Sequence, residues 1–201
     1  DVIAKINERH DAGVTVRIVY DDAWPISGLR AGITKKNDGD PAHMHNKFVI
    51  VDGATVWTGS ANFTSNNLSS INNNALVIKN AAVAAAYKAE FDQMWAGKFH
   101  TAKVASGNNL FTVDGIPVEV YFSPQDRPVD RLNTLASSAT SSLYFAIYTF
   151  GHSTLANTFL AKKTLASLGI FDASQLASTS GPYNTLKDGG FNVMVDINPS
   201  I

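Results

Sequence analysis

Residues 44–62, MHNKFVIVDGATVWTGSAN, constrain the fold of this chain more than any other stretch. Phe48, Val49, Ile50 and Val51 form a short apolar run rich in β-branched residues, Asp52-Gly53 is a strong turn signal, and Thr55, Val56 and Trp57 begin a return strand. The sequence therefore predicts a β-hairpin with polar residues at its open end. Successive side chains of an extended strand point to opposite faces, so His45 and Lys47, two apart, share one face. A nucleophile or base thus stands beside a fixed positive charge. Gly59, Ser60 and Asn62 close the return strand and reach the same end, so the hairpin carries its polar groups toward a cleft.

The flanking segments alternate between strand and helix patterns. A helix over residues 1–12 ending before Gly13, a strand through Val14, Val16, Ile18 and Tyr20, and a long loop over 23–42 precede the hairpin. Asp21-Asp22 at the end of that strand reads as a pair of solvated turn residues, since no further metal ligands stand at a motif spacing. After a polar turn-rich stretch, residues 75–79 read as a strand and 81–96 as the clearest helix, with Val83, Tyr87, Phe91, Met94 and Trp95 largely on one face. Residues 100–116 read as a linker. Beyond it come a strand through Val118, Val120 and Phe122, a helix over 130–139, a strand over 143–149, a helix over roughly 154–168, a small-residue loop with Gly181-Pro182, and a closing strand over 191–197. This order predicts an α/β protein, a layered α/β/α sandwich with a mixed β-sheet.

Composition limits the function classes. The 201 residues, 45% hydrophobic, suffice for one large core or two small ones. A net charge of -1 offers no global attraction to nucleic acid or anionic membrane, so phosphate binding has to be local. The absence of cysteine removes disulfides, thiolate metal sites and a cysteine nucleophile. No run approaches the 18 or so apolar residues of a membrane span, no amphipathic membrane helix stands out, and the first residues lack the order of a signal peptide. Abundant Ala, Ser, Thr and Asn with few charges suit an extracytoplasmic or secreted bacterial protein.

A weak internal repeat joins the two ends of the chain. Residues 13–21, GVTVRIVYD, line up with residues 190–198, GFNVMVDIN, at an offset of about 177 residues, the size of a whole α/β domain. Pattern alone leaves duplication and coincidence both open. Under duplication, a second copy of the His45 motif is expected beyond Ile201.

His45-x-Lys47-x4-Asp52 followed by Gly59-Ser60-x-Asn62 resembles the HKD signature of the phospholipase D superfamily, and GSANFT resembles that of its Nuc-like phosphodiesterase branch. The likeness extends to residues 74–95, which resemble the strand and helix after the motif, and to VEVYFSPQDRPVDRLNTLASSATSSLYFAIYTF, which resembles the opening of a second superfamily repeat. It implies residues 1–99 as the later part of one repeat, 100–116 as a linker, and 117–201 as the earlier part of a second repeat, ending before its own HKD motif.

The resemblance implies a phosphodiesterase that cleaves phospholipid or nucleic acid through a phosphohistidine intermediate. Attack on a phosphodiester needs charge neutralisation, an aligned nucleophile and a proton for the departing oxygen. His45, neutral near neutral pH, would be the nucleophile, and Lys47 would both act in catalysis and bind substrate. Ser60 and Asn62 would donate to non-bridging oxygens, while Asp52 would be an orienting catalytic partner. Neither cofactor nor metal is implied, because Lys and Asn stand where a metallophosphodiesterase concentrates carboxylates and histidines.

Two departures qualify this expectation. The superfamily mechanism uses two such histidines, and none of the others here has the HKD context: His43 reads as a neighbour of His45, and of His10, His100 and His152 the last, just after a central strand, is the best placed. General acid catalysis contributes about 100-fold to 10,000-fold, so a second HKD-bearing segment is expected as a partner, from a downstream fragment or another chain. In addition, Asn73 occupies the place where many Nuc-like members carry a glutamate that orients a histidine. A catalytically incomplete half that binds phosphate-containing ligands is the alternative reading, and an unrelated ligand-binding α/β domain is a third.

Overall fold

A computed structural model of the chain describes residues 2–178 and 180–196. The expected strand end at Ile197 and the last two positions of the repeat alignment lie outside the described residues. The chain divides into two compact units, residues 1–126 and 127–201.

The first unit contains α1 (Val2–Asp11), β1 (Arg17–Tyr20), β2 (Thr34–Asn37), β3 (Phe48–Val51), β4 (Thr55–Gly59), α2 (Ser65–Ser69), β5 (Ala75–Lys79), α3 (Ala81–Trp95), β6 (Leu110–Val113) and β7 (Ile116–Glu119). β3, β4 and β5 form an antiparallel sheet in that order, and the register pairs Phe48 with Thr58 and Val51 with Thr55. The hairpin predicted from Asp52-Gly53 is therefore present. Both turn residues have positive φ, 52° and 63°, and Ala54 N–H closes the turn on Val51 O at 3.1 Å.

α3 begins at Asn80, whose side-chain oxygen accepts from the N–H groups of Ala82 and Val83, and ends at Gly97. At φ +86°, Gly97 donates to Met94 O while Lys98 donates to Gln93 O, the glycine-terminated helix stop the sequence predicts. The helix packs on the sheet through Val83, Ala84 and Tyr87, against Val56 from β4. Tyr87 meets Phe48 and Phe122 edge-on at 5.2 and 5.0 Å. Phe111, Val113 and Val118 join this same core. The β6–β7 hairpin thus draws its hydrophobic side chains from a stretch expected in part as a linker, and packs as part of the first unit.

The second unit contains α4 (Pro128–Ser138), β8 (Ser142–Ile147), α5 (Ser153–Leu160), β9 (Ala166–Asp172), α6 (Pro182–Asp188) and β10 (Val193–Asp196). Its sheet has the order β10-β9-β8, parallel throughout. Phe150, Leu155, Phe171, Tyr183, Leu186 and Phe191 form its buried core.

The chain is α/β, as the alternation predicts, and among the described residues its strands fall into four sheets, two parallel and two antiparallel. Three further elements escaped the hydrophobic pattern. β2, TKKN, lies inside the expected loop and pairs in parallel with β1; Lys36 Nζ donates to Trp95 O at 2.9 Å and Lys35 Nζ lies 5.7 Å from the Tyr20 ring, so lysine stems do the packing there. β9 runs through the end of the expected 154–168 helix. Gly169 in β9 leaves the space that Phe145 fills, since a Cβ there would approach its ring within 2.2 Å. α6 starts at Pro182 in its first turn, inside what the small residues suggest is a loop.

Candidate active site

His45 and Lys47 lie on the extended stretch that leads directly into β3. Thr58 Oγ1 donates to Lys47 O at 3.1 Å, which fastens this stretch to β4 beyond the last paired residue, Phe48. Lys47 is thereby set beside Thr58, the residue that precedes Gly59 and Ser60.

Lys47 donates its ammonium to His45 O at 2.8 Å. His45 is exposed on the surface, yet burial of part of its ring holds its pKa below the ordinary 6.5; the charges of Lys47 and His43 push the same way and Asp21 opposes them. The neutral imidazole, the nucleophilic form, is therefore favoured near neutral pH. Burial also lowers the pKa of Lys47, partly offset by Asp21.

Asp21 is a site residue that sequence reasoning missed. Its side chain is only 11% exposed. Oδ2 accepts from Met44 N at 2.9 Å and lies 3.4 Å from His43 Nδ1, while Oδ1 accepts from Ala23 N at 3.0 Å. Far from a solvated turn residue, Asp21 clips the end of β1 to the residue before His45. The available signal was the DD pair at a strand end, which pattern reading assigns to a turn. Asp21, Asp22 and Asp38 also bring carboxylate oxygens within 4.8 Å of one another, and Asp38 Oδ1 accepts from Asp22 N at 2.9 Å.

The polar turn after β4 is braced internally. Gly59 cannot carry a side chain, because a Cβ would meet Asn74 O at 2.1 Å and Ala75 Cα at 2.8 Å. Ser60 Oγ donates to Asn73 Oδ1 at 2.9 Å and accepts from Asn74 N at 3.0 Å. Asn73, at the position where the resemblance leads to a glutamate, bonds to Ser60 and to Asn67 O. Asn62 is exposed and donates to Asn67 Oδ1 at 3.2 Å, and Thr64 caps α2 by accepting from Asn67 N.

Asp52 is placed apart from these groups. It sits in the tight turn at the closed end of the hairpin, five strand steps from Lys47, roughly 17 Å at about 3.3 Å per residue. The remaining histidines have other neighbours. His100 Nε2 lies 3.7 Å from Asp40, and His152 caps α5, its Nδ1 accepting from Leu155 N at 3.2 Å.

The family described as "Cardiolipin synthase, PLD-like domain" matches residues 1–95, which contain the whole of this constellation. A protein named mitochondrial cardiolipin hydrolase from Chlamydomonas reinhardtii is 34% identical over 102 residues, 47% of this chain and 46% of that protein. Its human namesake is 34% identical over 93 residues, 43% of this chain and 37% of that protein. The chain therefore spans less than half the length of these curated relatives. Among solved structures, the phospholipase D family member Nuc from Salmonella typhimurium covers 48% of this chain and 70% of its own at 29% identity, with a TM-score of 0.43. The stretch that matches a PLD-like domain, residues 1–95, thus holds both the His45-x-Lys47 segment and the Gly59-Ser60-x-Asn62 turn.

Proposed function

We propose that this chain cleaves phosphodiesters with His45 as nucleophile. The observation that carries the reading is the pairing of an exposed His45, held toward its neutral form, with Lys47, on a segment fastened to Thr58 immediately before Gly59-Ser60-x-Asn62. A nitrogen of His45 attacks phosphorus, the bond to the departing oxygen breaks, and the phosphohistidine is released by water or an alcohol. Lys47 turns from His45 O to a non-bridging oxygen as negative charge builds, and the exposed Asn62 amide donates to the same phosphoryl group. Ser60 contributes as the brace of the turn, since its hydroxyl is committed to Asn73 and Asn74. The names of the curated relatives favour a phospholipid diester over nucleic acid as substrate.

Among the described residues one HKD set is present, which favours a second reading, a half-site completed by a second HKD-bearing segment. The proton for an alkoxide leaving group then comes from the partner histidine. Bis(4-nitrophenyl) phosphate tests both readings, because an aryl oxide leaves without a general acid. The expected result is turnover that survives EDTA and vanishes in His45→Ala, with a phosphorylated His45 peptide after acid-free quench. Activity on cardiolipin vesicles that appears only on adding a second HKD-bearing segment would establish the half-site. Equal turnover in wild type and His45→Ala would sink the proposal.

A further inference from the structure

Beneath the His45–Lys47 strand lies a buried polar group that the chemistry above does not use. Asn46 stands between His45 and Lys47, so its side chain leaves the opposite face of the extended stretch. Its Nδ2 donates to Glu90 Oε1 at 3.1 Å and approaches Met94 Sδ at 3.4 Å, both on α3. Glu90 is 1% exposed, on the face of α3 that the hydrophobic pattern assigns to the core. The same Oε1 receives the ammonium of Lys103, whose side chain is 5% exposed, and Oε2 accepts from Gln125 Nε2 at 2.9 Å. Lys103 also donates to Ser123 O at 3.1 Å.

A buried ion pair is a poor source of stability, because apolar side chains of the same volume serve as well or better; where one is kept, fixing a unique geometry is its best attested use. Here the pair has one ligand from the strand, and that ligand is the residue between the two reactive side chains. A strand rotated by one pleat would turn His45 and Lys47 inward and leave Glu90 one donor short.

We propose that Asn46, Glu90 and Lys103 form a positioning device for the reaction: the buried carboxylate grips Asn46 from below and thereby holds His45 and Lys47 together on the outer face. Asn46 and Glu90 touch no substrate and act through the strand. This inference rests on the reading of His45 and Lys47 as the reactive pair, and it predicts that the amide and carboxylate ends of the tether are exchangeable.

The test compares Asn46→Ala, Asn46→Asp, Glu90→Gln and the double variant Asn46→Asp/Glu90→Gln with wild type, using bis(4-nitrophenyl) phosphate kinetics, thermal melts and the NMR titration of His45. Asn46→Ala is expected to lower kcat at least tenfold with KM changed less than twofold, assayed well below its Tm. Asn46→Asp alone sets two carboxylates together and is expected to lose more. The double variant restores an amide–carboxylate pair, and is expected to return kcat to within threefold of wild type. In the titration, Asn46→Ala moves the His45 resonance and brings its pKa back toward 6.5. A fall in Tm at unchanged kcat, or a double variant no better than Asn46→Asp, overturns the proposal. If wild type itself is inert, the functional reading fails, and the titration alone decides the tether: an unchanged His45 resonance and pKa in Asn46→Ala overturns it, and a shifted one upholds it. Should Asn46→Ala fail to fold, the exchange variant decides between the same two outcomes.

Discussion

Asp21 Oδ2 accepts the N–H of Met44 at 2.9 Å, so the first residue after β1 holds the chain one position before the candidate nucleophile. Asn46 is held one position after it by Glu90. His45 thus sits between two anchors from opposite sides of the sequence, 24 residues upstream in one case and on a later helix in the other.

Removing the upstream anchor has a signed electrostatic consequence. Asp21 raises the pKa of His45 against the larger lowering by burial and by Lys47 and His43. In Asp21→Asn the acidic limb of kcat/KM should therefore move to lower pH, in addition to any fall in the plateau. Asparagine keeps one acceptor and loses the other, so urea unfolding should register a loss of about 1–2 kcal/mol.

The depressed pKa of His45 also sets the pH dependence of the wild-type protein. Its folded value lies below 6.5, so the acidic limb of kcat/KM should fall below pH 6.5. The unfolded chain binds this proton more tightly than the folded one. The contribution of His45 to stability is therefore present above pH 6.5, declines as pH falls through 6.5, and levels off once pH passes the folded value. His45→Ala should flatten that part of the Tm-against-pH curve.

Gly59→Ala should be more damaging than any other single-methyl addition in the hairpin. The new Cβ would meet backbone at 2.1 Å, which flexible side chains cannot relieve. A loss of about 3 kcal/mol in urea unfolding is expected, together with activity, as β4 separates from β5. Gly53→Ala meets open space and is strained only by its φ of +63°, so roughly 1 kcal/mol is expected there with activity retained.

Ser60 and Asn62 should separate by their effects. Ser60→Ala removes a donor to Asn73 and an acceptor for Asn74 N–H, and should lower stability by about 1–2 kcal/mol. Asn62→Ala loses a single exposed bond to Asn67 and should be near neutral in unfolding. On an aryl phosphodiester the order reverses, with Asn62→Ala reducing kcat/KM more than Ser60→Ala.

The sequence by itself determined the hairpin, its turn, helix α3 and the adjacency of His45 and Lys47. These depend on local facts: β-branched runs, an Asp-Gly dipeptide, apolar residues at helical spacing, and the two-residue period of a strand. β2 and β9 were hidden for the same reason, since a strand of lysine stems and a strand opened by small residues carry no such period. Only the tertiary structure decided what surrounds the site. It turned Asp21 from a turn residue into a clip, committed Ser60 to Asn73, and laid Glu90 and Lys103 under Asn46. Each of these is a contact between residues whose own neighbours in sequence say nothing of it, because hydrogen bonds and ion pairs across a core are chosen by packing and not by propensity.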